Sequence, residues 1–222
     1  MPLRRIIALN NHGVSSLYHG RFNDAILSFH HAMQCTKEAD IIVNQAQDCV
    51  KTIVQNLPQC AVDLLDHAAL MAVSPHNMFD IYQNAFLLSK ETAPDMDKQE
   101  ISLVLFYNLA LAHHLAGLSV PQDSRAQLDQ AMHFYKYCLN IAKSRQESSV
   151  DLITLIMGSL TNMGHVFSHF WQVDDAQSCY QMLDNLLESS AVLSLSDEDG
   201  EFFFSTLSFS SSQQHLAFAP AA

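Results

Sequence analysis

An all-α array of stacked helical hairpins is the fold class this sequence predicts, and three observations carry the prediction. Matching triplets stand in three separated stretches, Asn11-His12-Gly13, Asn108-Leu109-Ala110 and Asn162-Met163-Gly164. After each comes a second segment with an alanine, an aromatic residue and a further core-sized residue at fixed steps. Within these segments apolar residues recur every three or four positions, the period of one helix face.

The first hairpin shows the logic. Between Ile6 and Tyr18, residues Ile6, Leu9, Gly13 and Leu17 share a face, with Ile7, Asn10 and Val14 on its flank. Gly20 ends the helix, because glycine enters the left-handed cap conformation without strain. Asn23 or Asp24 then caps a second helix by accepting backbone N–H bonds. Ala25, Phe29, Ala32 and Met33 form the stripe of that helix, and small residues at Gly13, Ala25 and Ala32 let the axes approach to roughly 8–10 Å. From Gly13 through Ala25 and Phe29 to Ala32 the steps are 12, 4 and 3, and Gly164, Ala176, Tyr180 and Leu183 repeat them. In the middle copy Ala110 and Ala131 are 21 steps apart. The nine extra residues fall in Leu118–Leu128, where Pro121 and Ser124 mark a loop, before Ala131, Tyr135 and Cys138 resume steps of 4 and 3.

The whole of 1–222 reads as one helical domain, with repeat-like units at about 6–36, 101–142 and 152–188, an irregular insertion at 38–100, and a strand and tail at 200–222. Within the insertion, Lys37–Gln55 and Cys60–Val73 read as helices, separated by Leu57-Pro58 and closed by Pro75-His76-Asn77. Met78–Ser89 alternates as a strand does and also half fits a helix. Glu91–Gln99 reads as a loop and Ser189–Gly200 as a turn. Glu201–Phe209, dense in aromatics, reads as a strand. A lone strand leaves backbone donors unpaired, so the expectation is a small two-stranded β pairing of Met78–Ser89 with Glu201–Phe209.

Composition narrows the function. The 11 basic and 23 acidic residues leave a net charge of −12. That excess argues against nucleic acid, which needs clustered Lys and Arg. Five scattered cysteines without a C-x-x-C pair suit a reducing compartment. Arg4-Arg5 precedes too short an apolar run for a signal peptide, and no run approaches the ~20 apolar residues of a membrane span. The expectation is a soluble cytoplasmic protein without membrane partners. There is no phosphate loop, G-x-S-x-G or dinucleotide fingerprint, so a non-enzymatic role without cofactors is expected.

The three repeated stretches resemble tetratricopeptide repeats over about Leu9–Cys35, Leu105–Ala142 and Leu160–Glu188, although the proline that often closes such a repeat is missing from all three. The resemblance implies a concave groove lined by first helices. It places Asn11, Asn108 and Asn162 near that groove, either holding a bound peptide's backbone or bonding neighbouring repeats. Its further lining would be Asn10, Val14, Leu17, Tyr18, Tyr107, Leu111, His114, Thr161, His165, Ser168 and His169. The family's grip on chaperone-tail carboxylates uses Lys and Arg, whereas Asn10, Gly158 and Asn162 stand at those places here and Val14 replaces a companion asparagine. Such a carboxylate would lack charge-assisted partners. The implied function is a non-catalytic scaffold or adaptor binding a protein or peptide segment. The alternative is a metal-binding or metal-sensitive regulator using His165 and His169, four apart on one helix face. Its weakness is the Val166-Phe167-Ser168 between them and the want of a third ligand.

Overall fold

The computed structural model describes residues 2–38, 80–89, 98–119, 124–143, 150–188 and 195–217. Among these residues the protein is all-helical, with seven helices and no strand. They are α1 (Pro2–Tyr18), α2 (Phe22–Glu38), α3 (Lys98–Ser119), α4 (Ser124–Lys143), α5 (Val150–His169), α6 (Val173–Leu187) and α7 (Asp197–Ala217). The helices expected over Lys37–Gln55 (beyond Glu38) and Cys60–Val73 lie outside the described residues, as does most of the Glu91–Gln99 loop. The chain forms two compact units, Met1–Met71 with Ala85–Phe134 and Ala72–Asn84 with Tyr135–Ala222.

In the first unit α1 packs on α2 and α2 on α3. Ile6, Val14, Ala25, Phe29 and Ala32 are all essentially removed from solvent. Gly13 is where the α1–α2 axes close up: a Cβ there would stand 2.5 Å from Phe29 Cε1, so even alanine would have to displace a buried ring. Gly20 takes a left-handed φ of 68°. Its N–H donates to the Leu17 carbonyl at 2.9 Å and that of Arg21 to Ser16 at 2.9 Å, which closes α1 with a Schellman motif. Neither Asn23 nor Asp24 is the cap of α2, since the helix starts at Phe22 and both lie in its first turn, Asp24 placing its charge at the positive end of the dipole. The extra residues of the middle copy are largely taken up by helix: α3 runs 22 residues to Ser119 and α4 begins at Ser124. Contrary to the sequence expectation, among the described residues one stretch, Gln99–Ser119, is long and apolar enough to cross a membrane. Nearly all of it is buried in the fold, so its apolarity is that of a core helix.

In the second unit α5 packs on α6, and α7 lies against both. The strand expected at Glu201–Phe209 is helix, and so is most of the expected tail, because α7 continues to Ala217. With α7 helical, Glu201–Phe209 offers no strand to pair with Met78–Ser89, and the predicted β pairing falls away. The helix start is explicit in the geometry. Ser196 Oγ accepts the Asp199 N–H at 3.1 Å and donates to Asp199 Oδ2 at 2.7 Å, a variant of the capping box with aspartate in the third position. Phe203, Thr206 and Leu207, three and four apart, are the buried face, while Phe204 points outward.

The α5–α6 corner repeats the α1–α2 Schellman bonds, with Trp171 donating to Ser168 at 3.0 Å and Gln172 to Phe167 at 2.9 Å. Here the left-handed residue is Trp171, φ 60°, with its side chain 70% exposed. A side chain in that conformation costs about 1–2 kcal/mol relative to glycine. Trp171→Gly is therefore expected to stabilise the chain by about 1 kcal/mol in urea denaturation followed by circular dichroism; a destabilised variant would show that the indole holds the corner through packing.

Candidate functional site

Residues 80–89 adopt neither helix nor strand, so their backbone groups need partners from elsewhere. Asparagine side chains supply them. In the first unit, Asn11 Nδ2 donates to the Leu88 carbonyl at 2.8 Å and Asn11 Oδ1 accepts the Leu88 N–H at 3.0 Å. Asn108 treats Phe86 in the same way, Nδ2 to carbonyl at 2.8 Å and N–H to Oδ1 at 2.9 Å. Asn10 braces the pair: its Oδ1 accepts from Asn108 Nδ2 at 2.9 Å, and its Nδ2 donates to the Phe86 carbonyl at 3.0 Å. Phe86 lays its ring edge-on to Tyr107 at 5.1 Å, and Leu88 is 1% exposed, whereas Leu87 between them is 65% exposed.

In the second unit Asn162 brackets Tyr82. Its Oδ1 accepts the Tyr82 N–H at 2.8 Å, and its Nδ2 donates to the Tyr82 carbonyl at 3.0 Å and to the Tyr135 hydroxyl at 3.0 Å. The Tyr82 ring stacks on Phe203 at 4.9 Å and tilts against Phe202 at 5.3 Å. Its hydroxyl donates to Asp199 Oδ1 at 2.6 Å. Burial and the Asp199 carboxylate both push the phenol's pKa up, so it stays protonated. In an extended chain the N–H and C=O of one residue point to the same side, and those of the next residue to the opposite side. Each asparagine reads one residue's two backbone groups with its own donor and acceptor, Asn11 at Leu88 and Asn108 at Phe86 in the first unit and Asn162 at Tyr82 in the second.

The sequence-predicted residues divide accordingly. Asn10, Asn108 and Asn162 contact the 80–89 segment through polar bonds, and Tyr107 through its ring. Val14, Leu17, Leu111 and His114 are buried. Thr161 is buried too and turns its hydroxyl back to the Met157 carbonyl at 2.9 Å. Ser168 is buried with its Oγ unpartnered. Tyr18 and His169 are exposed, so neither lines a buried site. Sequence reasoning placed Asn11 beside Asn108 and Asn162 without including it in the lining, and it missed Asp199, Phe202 and Phe203 by reading α7 as strand. The Ser196-x-x-Asp199 capping signature was the signal available.

Among the described residues the histidines do not converge on a metal. His165 is buried and its pKa is pushed down to about 3 by burial and by His169, which itself faces solvent. His30 and His113 are buried with ring centroids 6.3 Å apart, edge to face. Burial and the neighbouring His113 and His31 push His30 down to about 3; burial takes His113 to about 4 despite its 2.6 Å contact with Gln127 Oε1. Among the described residues no three His, Cys, Asp or Glu side chains could hold a metal ion together. Cys138 and Cys179 are buried and in no disulfide, with thiols pushed up by burial, in the case of Cys179 to about 12. Neither is poised as a nucleophile. Comparison with known proteins finds no matching family, curated relative or solved structure.

Proposed function

We propose that this protein is a non-catalytic adaptor of tetratricopeptide-like helical hairpins, whose first-helix asparagines grip the backbone of an extended peptide segment. One observation carries the reading. Asn11, Asn108 and Asn162, at the same place in three repeated stretches, each bracket the N–H and C=O of a single residue in a segment that has no helix or strand of its own. A side-chain amide offers one donor and one acceptor in fixed geometry, and the peptide group asks for both. That chemistry binds backbone whatever the sequence, leaving selectivity to the alternate side chains, as in strand addition to a sheet edge. On this reading the chain's own residues 80–89 occupy the clamp until a partner segment displaces them, and the net charge of −12 favours a neutral or basic partner.

The test supplies the segment in trans. A fluorescein-labelled peptide of residues 80–89 is titrated into the full chain carrying Tyr82→Ala, Phe86→Ala and Leu88→Ala, which weakens the internal occupant. Saturable binding by anisotropy is expected, with a loss of tenfold or more when Asn108→Ala and Asn162→Ala are added, since each removes charge-neutral hydrogen bonds worth about 1 kcal/mol. No saturable binding, or binding indifferent to the asparagines, would remove the clamp and leave them as structural braces.

A further inference from the structure

Around Tyr82 in the second unit, backbone and ring are held by contacts that any aromatic residue could make, and one further contact, the hydroxyl on Asp199, needs tyrosine. Asn162 fixes the backbone of that residue and is itself oriented by the Tyr135 hydroxyl. Phe203 and Phe202 take the ring, by stacking and tilted contact. At the far end Asp199 accepts the phenol hydrogen at 2.6 Å, and Asp199 is held there by Ser196 at the start of α7. Asn84 reaches the same carboxylate at 3.5 Å, so its acceptor capacity is directed at the incoming chain. A phenylalanine would leave the carboxylate oxygen facing a ring edge. A phosphate ester would place a second anion against Asp199, with Glu198 beside it in sequence and Glu201 in the next turn.

We infer that α5 and α7 form a tyrosine-reading pocket for an extended peptide segment, one that takes the unmodified phenol and rejects its phosphate ester. The inference rests on the adaptor reading above and adds its selectivity. It also assigns a regulation: phosphorylation of the tyrosine on a partner prevents entry, and phosphorylation of Tyr82 itself vacates the pocket. Charge-assisted hydrogen bonds are the stronger kind. Asp199 is partly open to solvent, which limits the discrimination to about tenfold between tyrosine and phenylalanine.

The experiment uses the triple-alanine full chain described above and three versions of the 80–89 peptide, with tyrosine, phenylalanine or phosphotyrosine at the position of Tyr82. The tyrosine peptide is expected to bind about tenfold tighter than the phenylalanine peptide and tighter still than the phosphopeptide. Asp199→Asn should narrow both gaps. Equal affinity for all three peptides overturns the pocket while leaving the clamp standing; no binding of any peptide overturns the clamp first. Preference for the phosphopeptide reverses the inference outright. Should the triple variant fail to fold, a thermal-unfolding cycle of Tyr82→Phe and Asp199→Ala in the otherwise native chain reads the same pair. Coupling between the two substitutions supports the pocket, and strict additivity overturns it.

Discussion

Stability of the intact chain is expected to fall steeply as pH drops below 6.5, and His30→Leu to remove part of that slope. His30, His113 and His165 are each under 5% exposed, and the fold holds them neutral, with pKa values pushed from 6.5 down to about 3, 4 and 3. The unfolded chain takes up a proton on each near pH 6.5, while the folded chain takes none until far lower. More protons are then bound unfolded than folded, so acid favours unfolding. The contribution is whole above 6.5, shrinks by about 1.4 kcal/mol per pH unit for each histidine, and levels off only once the folded pKa is passed. His30 and His113 share the first unit and disfavour each other's charge, so that unit carries about twice the single-site slope. Neither ring nitrogen of His30 has a hydrogen-bond partner. Leucine there removes two buried polar atoms along with the titration, and at neutral pH the variant should be at least as stable as the native chain. Urea denaturation at a series of pH values, followed by circular dichroism, reads both effects. A flat profile from 6.5 to 5 would mean that these rings find solvent or a counter-charge in the folded protein.

What the sequence disclosed was whatever depends on neighbours within a hairpin. Gly13 against Phe29, and the closing turn at Gly20, follow from spacing and from backbone sterics that operate over a few residues. The same local rules mislead at α7. The run Glu201-Phe-Phe-Phe-Ser-Thr-Leu-Ser-Phe209 has the composition of a strand, yet burial selects Phe203, Thr206 and Leu207 at helical steps, and the preceding Ser196 and Asp199 supply the start. Packing against α5 and α6 overrides propensity there. The strand-like alternation around Tyr82, Phe86 and Leu88 was visible, but its partners were not. Backbone demand can be met by side-chain amides as well as by another strand, and Asn162 stands 80 residues from Tyr82. No local pattern couples positions so distant. The asparagines were found only because they recur at one place in each copy, and recurrence does not say which groups they bind.

Asn108→Asp is expected to destabilise the chain more than Asn108→Ala, although it is the smaller change in shape. Asn108 is fully buried, and its amide divides its work: Oδ1 accepts the Phe86 N–H, while Nδ2 donates to the Phe86 carbonyl and to Asn10 Oδ1. Alanine removes the side chain and leaves the Phe86 N–H and Asn10 Oδ1 without these bonds, at about 2–4 kcal/mol for two part-buried groups. The Phe86 carbonyl keeps the donor that Asn10 provides. Aspartate keeps the acceptor but turns its second oxygen, now anionic, toward the Phe86 carbonyl and Asn10 Oδ1, two acceptors that cannot answer it. A buried charge with no opposite charge beside it costs about 3–5 kcal/mol. The order aspartate, then alanine, then native in rising urea midpoint is the expected result, with exchange of the Phe86 amide proton fastest in the alanine variant, where its acceptor is gone. An aspartate variant as stable as the alanine one would mean that water reaches residue 108. The bracket on Phe86 would then be a surface contact rather than the buried grip from which the adaptor reading starts.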